Sequence, residues 1–300
     1  RAVGDERGES FALLGSVEWE VQRGNREAAL PLIQQGLALA RKTGDAWLIA
    51  RYLDELGRYR LYRSEYSEAA RVIDEGLALA RACGDRALLG LLLRSLSLVV
   101  SYQGDHGRAR TLLEECMELQ QVLGFKRGTA ETVTVLGGTF QLLRDYAQAA
   151  RCFEQGLALA QSIGDEDLTA KALVNLGEIA LFDGKPAQAR PALRSFFERA
   201  PLLTRKEPIA WGLLMTSQLC RMEGAPEQAV RLFAAEQTVE ETFAIPMHPH
   251  WRQGYAEPVQ ELLATLGAEG QRAWEEGRRM QLSEAIAAAL SYLAPRAGRD

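Results

Sequence analysis

Cysteine and histidine are scarce in this chain, and their scarcity removes whole classes of chemistry. The four cysteines, Cys83, Cys116, Cys152 and Cys220, form no CxxC pair, which argues against a disulfide framework and a zinc site and fits a reducing, cytoplasmic setting. His248 and His250 flank Pro249 and could share a metal, but no cysteine or carboxylate at ligand spacing completes the set. His106 stands alone. No metal and no cofactor is expected. There is no excess of positive charge either: Lys and Arg number 35 against 40 Asp and Glu, a net charge of -5. Direct binding of nucleic acid or anionic lipid is not expected from that balance. No run of 18 apolar residues occurs, so no membrane span is expected. Arg1-Ala2-Val3-Gly4-Asp5 is neither a signal peptide nor an initiator methionine. The expectation is a piece of a longer protein.

Catalytic motifs are missing as well. A phosphate-binding loop needs G-x-x-x-x-G-K-[ST], and the nearest stretch, Gly184-Lys185-Pro186, lacks the spacing and the hydroxyl. No GxSxG elbow and no HExxH pair is present. The carboxylate pairs Glu114-Glu115, Glu240-Glu241 and Glu275-Glu276 are adjacent on helical patterns, so their side chains diverge and read as solvated faces. An enzyme is disfavoured.

What the chain does have is a repeat. Ala29, Ala69, Ala109, Ala149, Ala189 and Ala229 recur at a step of 40 residues. Gly36-Leu37-Ala38-Leu39-Ala40 returns as Gly76-Leu77-Ala78-Leu79-Ala80 and as Gly156-Leu157-Ala158-Leu159-Ala160, while Gly44, Gly84, Gly124 and Gly164 close the same segment. A period between about 20 and 50 residues marks a solenoid or related array.

Apolar residues at spacings of three and four, such as Phe11, Leu14, Val17 and Val21, predict a first helix over about Glu9–Arg23. A second pattern runs from Arg26 to Gly44, where glycine can adopt the left-handed conformation that ends a helix, and Asp45 is an N-cap candidate. The unit recurs with turns at Ser64-Glu65, Gly104-Asp105, Arg144-Asp145, Gly184-Lys185 and Gly224-Ala225, giving six hairpins over roughly residues 9–243. Twelve residues before each alanine stands Val17, Gly57, Ser97, Gly137, Gly177 or Ser217. Small residues facing one another let helix axes approach closely. Ile33, Ile73, Leu113, Phe153, Leu193 and Phe233, one turn after each alanine, are expected to pack on the next unit.

Leu56, Gly57, Tyr66, Ala69 and Ile73, and again Leu136, Gly137, Tyr146, Ala149 and Phe153, resemble the tetratricopeptide repeat over about four fifths of the chain. The family's tryptophan position holds Leu53, Leu93, Val133, Leu173 and Leu213. Its helix-ending proline is replaced by Arg41, Arg81, Gln121 and Gln161, so the second helix can run on, to 40 residues per unit against about 34. The resemblance implies an all-α, right-handed superhelix of six hairpins. Units of this length look like those in the sensor arms of large bacterial ATP-dependent regulators.

Beyond Glu241 the period fails. Ala244 to His250, with two prolines, reads as a loop, followed by helices over about Gly254–Leu266, Gly267–Arg279 and Leu282–Leu293, with Ser283 as a capping candidate. The expected organisation is a repeat solenoid over 1–243, a helical cap over 244–294 and a linker end over 295–300. Ala273-Trp274-Glu275-Glu276-Gly277-Arg278-Arg279-Met280-Gln281-Leu282-Ser283-Glu284-Ala285-Ile286 is similar to the end of the helical arm in LuxR-type transcriptional regulators and related predicted ATPases. That resemblance implies an upstream nucleotide-binding switch domain and, in some members, a downstream helix-turn-helix.

In the tetratricopeptide fold the first helix of each hairpin lines an inner groove. Carried over unit by unit, the groove positions are Arg51, Asp54, Arg58 and Tyr62; Arg94, Leu98 and Tyr102; Glu131, Thr134 and Gln141; Lys171, Asn175, Glu178 and Phe182; and Trp211, Gln218 and Arg221. Aromatics, guanidinium groups and amides of this kind suit a protein or peptide ligand. Tyr62, Tyr102 and Phe182 fit equally a role in packing between neighbouring hairpins. The resemblance implies a non-catalytic sensor arm; a peptide-pheromone receptor or a protein-interaction scaffold is the alternative.

Overall fold

The computed structural model describes residues 5–243, 245 and 249–295. Residues 1–4, the expected loop residues 244 and 246–248, and 296–300 of the expected linker lie outside the described residues, His248 among them. The described residues are all-α, with helices α1 (Glu6–Gln22), α2 (Arg26–Thr43), α3 (Ala46–Tyr62), α4 (Tyr66–Cys83), α5 (Arg86–Tyr102), α6 (His106–Leu123) and α7 (Lys126–Leu142) in a first compact unit. The second unit begins at Tyr146 and holds α8 (Tyr146–Ser162), α9 (Glu166–Phe182), α10 (Pro186–Arg199), α11 (Glu207–Met222), α12 (Pro226–Phe243), α13 (Pro249–Leu266), α14 (Ala268–Arg279) and α15 (Leu282–Leu293).

The helix ends follow from backbone chemistry. Gly44, Gly84, Gly124 and Gly164 have φ of 70°, 69°, 62° and 67°, the left-handed region where a Cβ is penalised. Asp45, Asp85, Asp105 and Asp165 each accept a hydrogen bond from the first turn of the helix that follows. The column that turns each hairpin also needs positive φ. There Gly24, Gly104, Gly184 and Gly224 alternate with Ser64 at 60° and Arg144 at 59°.

Every alanine of the ladder is buried, at 0% or 1% exposure. A Cβ added to Gly57 would meet Ile73 Cγ1 at 2.3 Å, and one added to Gly177 would meet Leu193 Cδ2 at 2.7 Å. The large residue one turn after the alanine therefore fills the space over the small residue of its own hairpin, whereas the sequence directed it to the next one. The reason is volume: a missing side chain on the first helix leaves room nearer than the following unit. Ser217 does the same work by donating to the Ala229 carbonyl at 2.8 Å.

Sixteen residues separate Gly57 from Ile73 and Gly177 from Leu193, and the same spacing recurs where one hairpin meets the next. Gly36 faces Tyr52, Gly76 faces Leu92, Cys116 faces Thr132 and Gly212 faces Phe196. The last pair is inverted in size, so total volume is conserved while the bulky partner changes sides. Proline has its expected effect too. Pro201 stands in the column of Arg41, Arg81, Gln121 and Gln161, and α10 stops after 14 residues where α2, α4 and α6 run 18.

Helix α13 starts at Pro249, five residues before the expected Gly254, because proline at a first helical position forfeits no hydrogen bond. Its neighbours α14 and α15 pack on α12 and on α10, α11 and α12 respectively. The stretch that resembles the LuxR-type arm serves this packing: a Cβ on Gly277 would lie 2.1 Å from the Arg231 carbonyl oxygen. The cap of α15 is Gln281, not Ser283, since Glu284 accepts from the Gln281 N–H at 2.8 Å in a capping box. Glu240 is buried rather than on the solvated face its pairing with Glu241 led us to expect, because α11, α13, α14 and α15 all pack on α12.

Candidate partner-binding face

In the first unit successive first helices touch, α1 with α3, α3 with α5 and α5 with α7. This puts them on the tighter side of the stack, where the sequence placed the groove. Arg51, Asp54, Arg58, Arg94 and Glu131 are brought together there. Arg51 donates to Glu18 at 2.8 Å and to Asp54 and Glu55 at 3.4 Å, and Arg58 stands 3.7 Å from Glu55. Arg94 pairs with Glu131 at 2.5 Å, and Arg127 reaches the same carboxylate at 3.4 Å.

Asp54 is fully buried and Glu55 is 4% exposed, whereas the Arg58 side chain is 45% exposed. Burial pushes the Glu55 carboxyl above its ordinary range, with Arg58 opposing and Asp54 adding to the rise. Burial acts to lower Arg58, but Glu55, Asp54, Glu131 and Glu18 outweigh it and hold the guanidinium charged. The groove reading missed Glu18, Glu55 and Arg127. Glu55 stands four residues after Arg51 and three before Arg58, so helical spacing already placed it on their face.

The aromatic positions pack between hairpins. Tyr102 stacks on Tyr66 at 5.8 Å, and Arg26 lies 5.1 Å over Tyr62, which also meets Tyr59 at 6.4 Å. In the second unit Phe182 stacks on Tyr146 at 6.1 Å in the same register, 36 residues apart. Leu98 and Gln141 are half-buried, and Thr134 is buried with its hydroxyl donated to Ala130.

Elsewhere in the second unit Lys171 and Arg221 are exposed, Asn175 is half-buried and Gln218 is buried, accepting from Arg221 Nε at 3.1 Å. Glu178, Phe182 and Trp211 converge on a residue the sequence assigned to the cap, Tyr255 of α13. Glu178, 3% exposed, accepts from Trp211 Nε1 at 3.2 Å on one oxygen and from the Tyr255 hydroxyl at 3.3 Å on the other. The Trp211 and Tyr255 rings meet edge to face at 5.7 Å, and Phe182 lies 6.5 Å from Tyr255. Burial, then the Glu178 charge, pushes the Tyr255 phenol up, so it stays a donor. No sequence spacing joins positions 77 apart, and so this contact was not legible.

Among the described residues no cluster of three His, Cys, Asp or Glu side chains could hold a metal, and no helix is long and apolar enough to cross a membrane. The sequence matches no protein of curated function. The family model described as tetratricopeptide repeat matches residues 88–162 and 128–201. Solved structures with a similar fold include a Rap protein complexed with competence and sporulation factor, with TM-score 0.71 and 12% identity, covering 95% of this chain and 76% of that one. A signal-transduction ATPase with numerous domains and a tetratricopeptide repeat sensor, from Pyrococcus horikoshii, is similar at TM-score 0.56 and 14% identity, covering 87% of this chain and 40% of that one. NprR in complex with its cognate peptide NprX is similar at TM-score 0.57 and 13% identity, covering 98% and 90%. With helical hairpins repeating every 40 residues around buried alanines, the chain has the tetratricopeptide-repeat fold.

Proposed function

We propose that this chain is a non-catalytic sensor arm of a larger bacterial, cytoplasmic signalling ATPase or LuxR-type transcriptional regulator, binding a protein or peptide on its first-helix face. The observation that carries the reading is the charge cluster of α3, α5 and α7. Buried carboxylates are costly, and a face with only a packing role is as stable or more so with apolar residues there. Keeping Asp54 and Glu55 under a half-exposed Arg58, beside Arg94 and Glu131, gives a face that offers both charge signs to a polypeptide. The repeat solenoid over 1–243, the cap over 244–294 and the linker end over 295–300 then stand downstream of a nucleotide-binding switch domain, with a helix-turn-helix beyond in some relatives. A ligand that holds one packing of the hairpins more tightly than another biases the switch by its differential affinity.

The structures of Rap with competence and sporulation factor and of NprR with its cognate peptide, whose fold this chain shares, favour a second reading, a peptide receptor working without an attached switch. Photo-cross-linking tests the first-helix face for either. With a photoreactive amino acid at Arg58 or Arg94 in the native host, a discrete adduct is expected, and none from Arg71 on α4. Adducts from Arg71 alone refute the assignment. The domains joined to the adducted chain separate the two readings.

A further inference from the structure

Tyr255 sits among groove residues of the second unit as a ligand side chain would. Its hydroxyl reaches a buried carboxylate, its ring meets that of Trp211 edge to face, and Phe182, still 44% exposed, flanks it. Its helix is interrupted at one defined place. Pro258 lies inside α13, where it has no N–H to give the Gly254 carbonyl and its ring crowds that carbonyl, while a side chain at Gly254 would meet nothing within 4 Å. Beyond the proline the helix is anchored: Val259 is fully buried, and Leu262, Leu263 and Leu266 pack on the core of the second unit. Before it, Tyr255 and Ala256 pack on the same core, and Tyr255 is the one that enters the ring cluster.

We propose that Glu178, Phe182 and Trp211 form a subsite for a phenol side chain of a peptide ligand, and that Tyr255 is its built-in, removable occupant. The inference rests on the partner-binding reading above and names the ligand chemistry and its control. When the segment before Pro258 swings out, a buried carboxylate loses one donor, and a tyrosine from the ligand supplies the same hydrogen bond and the same edge-to-face contact. A phenylalanine supplies the ring without the donor. A phosphotyrosine is rejected, because its dianion meets the Glu178 charge in a desolvated place. The closed state taxes ligand affinity by the fraction of time the subsite is empty.

The test uses the whole chain and a fluorescein-labelled synthetic peptide of residues 249–262, read by fluorescence anisotropy. Tyr255→Ala removes the internal competitor, and the peptide is expected to bind it at least about tenfold tighter than the parent chain. Replacing the peptide tyrosine by phenylalanine is expected to weaken that binding about tenfold or more, and by phosphotyrosine to abolish it. Trp211→Ala added to Tyr255→Ala is expected to abolish uptake. Pro258→Ala restores the missing helix bond and acts in the opposite direction, lowering peptide uptake below that of the parent while raising thermal stability. Equal binding to the parent and to Tyr255→Ala of native circular dichroism, or equal binding of tyrosine and phenylalanine peptides, overturns the proposal. If that occurs while Arg58 and Arg94 still cross-link a partner, the subsite fails and the partner-binding reading stands. If cross-linking fails too, both fall.

Discussion

Gly36→Ala and Gly138→Ala are the same chemical change in two interior helical turns of the first unit, and the account requires them to act with opposite sign. A methyl on Gly36 would lie 2.1 Å from both Cζ and the hydroxyl oxygen of Tyr52. The ring cannot yield cheaply, because Tyr52 is fully buried and donates to the Ser10 carbonyl at 2.5 Å. Overpacking of this kind costs about 1–3 kcal/mol, offset by about 1 kcal/mol of helix propensity gained on replacing glycine. The expected net loss is up to about 2 kcal/mol. At Gly138 nothing lies within 4 Å of the added carbon, so only the propensity gain remains, up to about 1 kcal/mol of stabilisation. Urea unfolding followed by circular dichroism and tryptophan fluorescence measures both, with the two probes checking whether the units unfold together. Tyr52→Leu in the Gly36→Ala background tests the cause, because at Gly76 the equivalent methyl would meet Leu92 at 3.1 Å. A favourable coupling of about 0.5 kcal/mol or more is expected from that cycle. If Gly36→Ala were stabilised as much as Gly138→Ala, the close approach that sets the stacking of hairpins would be wrong.

Ser64 holds a φ of 60° in a column otherwise served mostly by glycine, and Ser64→Gly is expected to stabilise by about 1 kcal/mol, read as a higher urea midpoint. Glu55 sets a pH dependence. Its folded pKa is raised by burial above the ordinary 4.5, with Arg58 and Arg51 opposing and Asp54 and Glu18 adding. The folded state therefore binds more protons than the unfolded one in the window just above 4.5, and stability falls as pH rises through it. Glu55→Gln should match the parent in stability below that window and exceed it above; the same Tm difference at every pH would refute this. Thiol titration of the native chain at pH 8 should find one fast cysteine, the exposed Cys83. Cys116, Cys152 and Cys220 are buried with thiols pushed up, Cys220 to about 12. Two or more fast thiols would contradict their burial.

The repeat was legible because stacking imposes a fixed geometry on every unit. The alanine ladder, the closing glycines with positive φ and the capping aspartates each answer a backbone or packing demand that recurs at every 40th residue. The charge cluster of α3, α5 and α7 was half legible. Arg51, Asp54, Arg58, Arg94 and Glu131 fall in carried-over columns, whereas Glu55 and Arg127 join them as i,i+4 partners of Arg51 and Glu131, a spacing the sequence offered and the groove columns left out. The Tyr255 contact was not legible at all. It depends on how a non-repeating helix folds back onto α9 and α11, and no period connects residue 255 to residues 178 and 211. The register of 16 residues was in the sequence as size compensation, Gly36 with Tyr52 against Phe196 with Gly212, and only contact between the two columns makes it recognisable.

Hydrogen exchange on the whole chain, with and without the partner identified by cross-linking, tests the central claim most directly. Partner binding should slow exchange in α3, α5 and α7, around Arg51, Arg58, Arg94 and Glu131, and leave α4 and α6 unchanged. Protection confined to α4 and α6, or no change on any first helix at saturating partner, would contradict it.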